Sequence, residues 1–157
     1  MTNISDEQTV EILNTLVQVH NDRIEGYETA TNEIEDADLK TLFCRFIETS
    51  MSCKADLVTH LRQLGGTPVE GTKLAFKFFK VWMEVKAAFS GNDRKMILDS
   101  CEYGEDMAVG TYKQVITDNL QNFTEDQKIM LKTQHLLIKS DHDTIKGLRD
   151  ALLEANL

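Results

Sequence analysis

The stretch Leu64-Gly65-Gly66-Thr67-Pro68 ends a long helical segment and opens a connection whose length decides the fold. Glycine accepts the left-handed backbone conformation at a helix end, and proline cannot continue a helix. The apolar residues over 37–64 recur at helical spacing, which predicts a long helix there. The next long helical segment begins only near Asp93, so this connection is long enough to cross a helical bundle.

Helical periodicity also covers the chain on both sides of this break. The predicted helices span residues 5–35, 37–64, 73–89, 93–120 and 124–154, and the short one over 73–89 lies inside the long connection. Thr124 followed three residues later by Gln127 is a capping box, which marks the start of the last helix. Because short links join the first long helix to the second and the third to the fourth, each of these pairs is predicted to be antiparallel.

The composition favours one helical domain. The 157 residues fit a single compact unit over 1–157, and 41% apolar residues suffice for a continuous core. A fold of many strands needs many turns, which usually contain glycine or proline, and this chain has only one proline and eight glycines. The 17 Lys and Arg residues against 26 Asp and Glu give a formal charge of -9. A field of this sign disfavours nucleic acid and anionic lipid as partners.

The sequence predicts a cytoplasmic location. Its first residues, Met1–Glu7, lack a basic segment followed by an apolar one, so an ordinary secretory signal is not expected. No apolar run approaches the ~20 residues that a membrane-spanning helix needs, which predicts that a membrane is not a partner. The three cysteines, Cys44, Cys53 and Cys101, form no Cys-x-x-Cys pair and are odd in number, which favours reduced thiols.

The segment Cys101–Tyr112 carries the most distinctive polar pattern of the chain. It places Glu102 and Glu105 three residues apart in the middle of a predicted amphipathic helix. Burying charge at such a position is costly unless another group compensates it. Two interpretations are open: the carboxylates serve a site, or they form a solvated face of the helix.

Several features together indicate a resemblance to a known family. They are Leu13-Asn14-x-Leu16, the Leu64–Pro68 stretch, Trp82-Met83, Cys101-Glu102-x-Gly104-Glu105-Asp106 and His142-Asp143. In these residues the chain resembles the ferritin-like superfamily over nearly its whole length, and within it a group of small bacterial four-helix-bundle proteins of unknown function. The resemblance implies an all-α, ferritin-like four-helix bundle whose second and third long helices are joined by a long crossover containing a fifth, shorter helix.

The resemblance also implies where a metal site would lie. Di-iron members of the superfamily draw one Glu from each of two helices and a Glu-x-x-His from each of the other two. Carried over onto this sequence, the ligand positions are His20, Cys53, Asp56, Glu105, Lys139 and His142. Only Glu105 and His142 match the expected residue types. A tyrosine follows seven residues after both His20 and Glu105, as it does in many relatives.

These departures argue against a two-ion centre. Two divalent ions in one site generally need about four carboxylates, and Lys139 adds a positive charge that can pair with Glu105 in place of a metal. The expectation is therefore a single ion of Fe or Zn, held by nitrogen and oxygen donors. Its predicted ligands are His20, Asp56, Glu105 and His142, one from each helix, with Glu102 as an auxiliary ligand.

Two hypotheses for function stay open at this point. In the first, the chain is a metal-binding bundle protein that acts in metal handling, iron in particular, or in stress response. In the second, it is a metal-free helical scaffold or protein-interaction module with a degenerate metal site. The aromatic side chains of residues 73–89 would then form a homodimer surface. No arrangement of nucleophile, base and acid can be placed in space, so the sequence leaves enzymatic activity open and assigns no catalytic residue.

Overall fold

Long helices make up most of the chain that the structure describes. A computed structural model of the protein describes residues 4–71 and 93–155. The helices are α1 (Ile4–Glu33), α2 (Ala37–Gln63), α3 (Arg94–Asp118) and α4 (Glu125–Ala155). These residues contain no strand, which confirms the prediction of an all-α chain. The predicted short helix with its aromatic residues, 73–89, lies outside the described residues.

The start of α4 shows the predicted capping box. Thr124 Oγ1 accepts from the Gln127 amide at 3.2 Å, and the Gln127 side chain accepts from the Thr124 amide at 2.9 Å. The end of α3, just before this capping box, differs from the prediction. The helix was predicted to continue to residue 120, but α3 ends at Asp118. A short 3-10 helix, Leu120–Asn122, follows instead. Its tighter winding lets the chain turn back within a few residues to begin α4.

The end of α2 has the glycine geometry that the sequence indicated. The amide of Gly66 donates to the Leu61 carbonyl at 3.0 Å, and the amide of Gly65 donates to the Arg62 carbonyl at 2.9 Å. This Schellman pairing requires a left-handed backbone at Gly65, whose φ is 83°. Glycine adopts that conformation without the steric cost that a Cβ atom imposes.

Contacts at both ends of the bundle show that α1 and α3 run in opposite directions. Near the start of α1, Thr9 Oγ1 donates to the Asn122 carbonyl at 3.2 Å, just beyond the end of α3. Beyond the other end of α1, Asp36 accepts from Arg94, the first residue of α3, at 2.7 Å. The short links make α1 antiparallel to α2 and α3 antiparallel to α4, and each of these pairs packs together along its length. Consequently α1 and α4 run one way, and α2 and α3 the other.

Two apolar clusters fill the interior, one toward each end of the bundle. One surrounds the rings of Tyr27, Phe43 and Phe46, and the other contains Leu16, Leu57 and Leu131 among its fully buried members. A polar layer lies between them along the helices. It consists of His20, Arg23, Tyr27, Ser50, Glu105, Tyr112, Gln134 and Asp141.

The described residues bear on two further predictions, those about membrane-spanning helices and about the cysteines. In residues 4–71 and 93–155, no helix has an apolar stretch long enough to span a membrane. The three cysteines are all described and are free thiols, with Cys44 exposed and Cys53 and Cys101 buried. Burial raises the pKa of Cys53 to about 12 and that of Cys101 well above its usual value, so both buried thiols are protonated at neutral pH.

Candidate functional site

Arg23 is the centre of the polar layer and is fully buried. Its Nε and Nη2 atoms donate to Glu105 Oε1 at 3.1 and 2.9 Å. Nη1 donates to Ser50 Oγ at 2.5 Å, and Nη2 also donates to Asp141 Oδ2 at 3.1 Å. The Tyr27 hydroxyl donates to the same oxygen of Glu105. One guanidinium on α1 therefore contacts each of the other three helices.

The charges in this cluster compensate each other away from water. Burial opposes a charged guanidinium, but Glu105, Tyr27 and Asp141 outweigh it and raise the pKa of Arg23 above its usual value. Burial also raises the pKa of Tyr27 well above its usual value, and the charge of Glu105 raises it further, so the hydroxyl stays protonated. Glu105 Oε2 is buried and accepts no hydrogen bond from the described residues. Arg23 thus supplies the positive charge that compensates the buried carboxylate of Glu105.

A second part of the polar layer is a directed chain of hydrogen bonds. Gln134 Nε2 donates to the Cys53 carbonyl at 3.1 Å, so its Oε1 accepts from the Tyr112 hydroxyl at 2.7 Å. The Tyr112 oxygen then accepts from His20 Nε2, 2.6 Å away, which places the ring proton on Nε2. His20 Nδ1 accordingly accepts from the Ser50 hydroxyl at 3.0 Å. Ser50 Oγ is also the acceptor of the Arg23 guanidinium, so the two parts form one continuous network.

His20 is neutral and has both ring nitrogens engaged by protein atoms. Burial lowers its pKa well below the usual value, and the positive charges of Arg23 and Lys54 lower it further. A metal ion at His20 would have to break one of two buried hydrogen bonds. The position therefore favours the network over ligation.

The structure does not bring the four predicted ligands together. Asp56 is exposed on α2, while Glu105 and His20 are fully buried in the polar layer. His142 lies at the rim of the bundle, with 15% of its side chain exposed. Lys139 is not the partner of Glu105, because its Nζ bonds to Asp143 at 2.9 Å on the exposed side of α4. The cation that pairs with Glu105 is Arg23.

An outer cluster of Glu102, Asp106 and His142 lies between α3 and α4. Each residue offers one ligand atom, and these atoms lie within 4.8 Å of one another. Across residues 4–71 and 93–155 it is the one group of three or more His, Cys, Asp or Glu with this geometry. Glu102 and Asp106 are four residues apart and so share one face of α3. Glu102 is 11% and Asp106 58% exposed in the side chain, which makes the cluster half open to solvent.

Carboxylates hold the His142 ring in a defined orientation. Its Nε2 lies 2.5 Å from Asp106 Oδ1, and its Nδ1 lies 3.0 Å from Asp143 Oδ1. Partial burial disfavours the charged ring, but the bonds to Asp143 and Asp106 outweigh it and raise the pKa of His142. A carboxylate on one ring nitrogen is the arrangement that orients metal-binding histidines. Asp143 on Nδ1 fits this role, and Nε2 would exchange its bond to the half-exposed Asp106 for the ion.

The outer cluster has a donor set suited to a transition metal. One imidazole nitrogen and two carboxylate oxygens are the ligands that Zn and Fe accept. An ion at ~2.1 Å from each donor requires the donors to lie within ~4.2 Å of one another, so small side-chain rotations would close the site. Asp106 can rotate because its side chain is more than half exposed. Three protein ligands leave further coordination positions to water.

Sequence reasoning missed Arg23 and Asp106, although signals for both are present. Arg23 lies three residues after His20 and four before Tyr27, which puts all three on one face of α1. Asp106 directly follows Glu105 and lies four residues after Glu102, the spacing at which two carboxylates meet on a helix.

The chain belongs to the family described as Domain of unknown function (DUF2383), whose profile matches residues 8–118. The match takes in nearly all of α1, all of α2 and α3, and the residues of the polar layer that these helices carry. His142, Gln134 and Asp141 on α4 lie beyond it. A comparison with curated proteins gives no match.

Proposed function

We propose that this protein is a ferritin-like bundle that binds one divalent transition-metal ion, Fe or Zn, at the outer cluster of Glu102, Asp106 and His142. The observation that carries the proposal is the convergence of one imidazole and two carboxylates within 4.8 Å from two helices. The ferritin-like topology is supported by the helix directions, since α2 and α3 run the same way and therefore need a long crossover. A role in metal handling or in stress response, in the cytoplasm, is part of the same proposal.

The proposed site keeps two of the residues that the sequence suggested, Glu102 and His142, and replaces the others by Asp106. Glu105 and His20 serve the buried network instead. The electrostatic reason is the low dielectric of the interior, where Arg23 already neutralises Glu105 and a second cation would be repelled. At the outer cluster, by contrast, hydration screens the charges and water can complete the coordination shell.

Titration of the full chain, purified without added metal, with Zn(II) and with Fe(II) under argon tests the proposal. We expect one ion per chain in the native protein and loss of binding in His142→Ala and Asp106→Asn. Changes to residues that only orient a ligand cost about 10–100-fold in affinity, so removing a ligand should cost more. His135→Ala, on the same helix, is the matched control and should bind like the native protein. Sub-stoichiometric binding, or equal binding by His142→Ala, would overturn the proposal.

The buried network favours a second candidate, a metal-free helical scaffold with a degenerate interior site. The specific observation behind it is the ion pair of Arg23 and Glu105. Because Arg23 already neutralises this buried carboxylate, the interior needs no metal ion for that purpose. In this case the titration finds no stoichiometric ion in the native chain. A homodimer through residues 73–89 is a further part of this alternative, and sedimentation of a Trp82→Ala variant beside the native chain would test it.

A further inference from the structure

Arg149 on α4 lies against the outer cluster and contacts three carboxylates. Its Nη1 forms a close ion pair with Glu102 Oε2. Its Nη2 bonds to Asp150 Oδ1 at 3.0 Å, and its Nε lies 3.9 Å from Asp99 Oδ1. The side chain is 25% exposed, so part of it reaches solvent, although its Nε atom is buried. Glu102 is thus shared between the proposed metal site and a cation of the protein itself.

We infer that Arg149 is a built-in competitor for the metal at this site: the guanidinium occupies Glu102 and leaves it when the ion binds. The inference rests on the metal binding proposed above and adds its regulation. A divalent ion and a guanidinium on one carboxylate repel each other, and their separation across a carboxylate is too short for water and salt to screen them fully.

Arg149 has other partners that can receive it. Asp150 already holds Nη2, and Asp99 lies within reach of Nε, so the guanidinium can swing from Glu102 toward these two without losing all of its ion pairs. Surface ion pairs differ little in free energy, so such an exchange costs little. The arrangement is therefore a two-state element, with Arg149 on Glu102 in the metal-free form and on Asp99 and Asp150 in the metal-bound form.

The consequence is a weaker apparent affinity than the three ligands alone would give. When only a fraction of the protein is in the state that can bind, its apparent affinity for the ion is reduced by that fraction. Removing the guanidinium should therefore tighten metal binding, although Arg149 is not itself a ligand. A residue that merely stabilised the α3–α4 contact would have the opposite effect on binding, or none.

Isothermal titration of the full chain with Zn(II), comparing Arg149→Gln with Lys146→Gln, tests this inference. Lys146 is three residues earlier on α4 and pairs with Asp150, so its replacement removes the same charge from the same helix without touching Glu102. We expect Arg149→Gln to bind Zn(II) about tenfold more tightly than the native chain and Lys146→Gln to change the affinity less than about twofold. Asp106→Asn added to Arg149→Gln should abolish the gain. Thermal unfolding of each metal-free variant verifies that it is folded.

The outcomes separate this inference from the proposed function. Equal Zn(II) affinity in the native chain and Arg149→Gln would overturn the competitor role and leave the metal site standing. Equal tightening in both variants would also overturn it, because the effect would then be one of net charge. Failure of the native chain and of Arg149→Gln to bind Zn(II) would overturn the metal site, and the inference with it.

Discussion

Arg23 shows how one residue can occupy the interior of a helical bundle with charge supplied by the protein itself. Its guanidinium is fully buried and bonds to Glu105, Ser50 and Asp141 on three different helices. A carboxylate at the Glu105 position suits a metal ion in a bundle interior, yet here an arginine of the same protein supplies the compensating charge. A guanidinium is always charged and presents fixed donors, so it holds this position at every pH at which the protein folds.

His20 makes the stability of the protein dependent on pH. Its pKa in the folded state is lowered well below the usual value, so below about pH 6.5 the unfolded chain binds a proton that the folded chain does not. The stability is fully present above that pH and falls as the pH drops toward the lowered pKa. We expect the free energy of unfolding to lose up to about 1.4 kcal/mol per pH unit in this window because of His20.

Chemical denaturation at pH 7.5, 6.5 and 5.5 measures this effect. The part of the pH dependence that His20 contributes should disappear in His20→Gln, whose side chain has no charge to gain. In His135→Gln most of the pH dependence should remain. His135 is only partly buried, so burial lowers its pKa less than it lowers that of the fully buried His20. The same pH slope in the native chain and His20→Gln would show that another group titrates.

At the scale of a single element, the end of α2 combines a backbone requirement with a packing requirement. Gly65 needs its positive φ for the Schellman pairing. Gly66 needs the absence of a side chain, because a Cβ atom there would lie 2.6 and 2.8 Å from the two methyl groups of Val10 on α1. The loop after α2 is further tied to α1, since Asn14 donates to the Thr67 carbonyl at 3.0 Å.

Alanine substitutions should distinguish this close approach from ordinary helix glycines. We expect Gly66→Ala to destabilise the protein by roughly 1–3 kcal/mol, the usual cost of overpacking. Gly110→Ala in α3, where a Cβ atom would meet nothing within 4 Å, should stabilise it by ~0.5–1 kcal/mol because alanine is the better helix former. Denaturant unfolding of both variants checks the prediction, and Val10→Ala combined with Gly66→Ala should recover part of the loss.

For the whole molecule, the polar layer divides the interior into two apolar clusters and connects all four helices. The ion pair of Arg23 and Glu105 lies at its centre, with both side chains fully buried. Such a pair contributes little net stability, because desolvating two charges costs about as much as their attraction returns. We infer that the pair favours the native alignment of the helices, because Arg23 contacts Ser50, Glu105 and Asp141 on the three other helices at once.

Replacing members of this cluster should therefore have opposite effects alone and together. Arg23→Met should destabilise by roughly 3–5 kcal/mol, because it leaves Glu105 buried without a compensating charge. The triple variant Arg23→Met, Tyr27→Phe and Glu105→Leu should return to within ~1 kcal/mol of the native protein or exceed it, since both fully buried charges are removed and Asp141, the other partner of Arg23, keeps 15% of its side chain exposed to water. Urea unfolding of the native chain and both variants makes the comparison. A triple variant as unstable as the single one would mean that the network itself holds the bundle together.

Much of the secondary structure was predictable because its causes are local. The capping box of Thr124 and Gln127, the glycine end of α2 and the apolar periodicity each act within a few neighbouring residues, so helix bounds can be read from the sequence to within a few positions. The depth of the polar layer was partly visible, since His20 and Glu105 were expected to face inward and both are fully buried, whereas Asp56, expected beside them, is exposed.

The sequence by itself determined where the helices begin and end and that polar residues enter their interior, because spacing and capping operate along one chain segment. Only the tertiary structure decided the partners of those residues. Arg23 meets Glu105, Lys139 turns outward to Asp143, and Asp106 joins Glu102 and His142, according to how each helix is rotated and shifted against its neighbours. A rotation of one residue is 100° on a helix, which is enough to exchange an interior position for an exposed one.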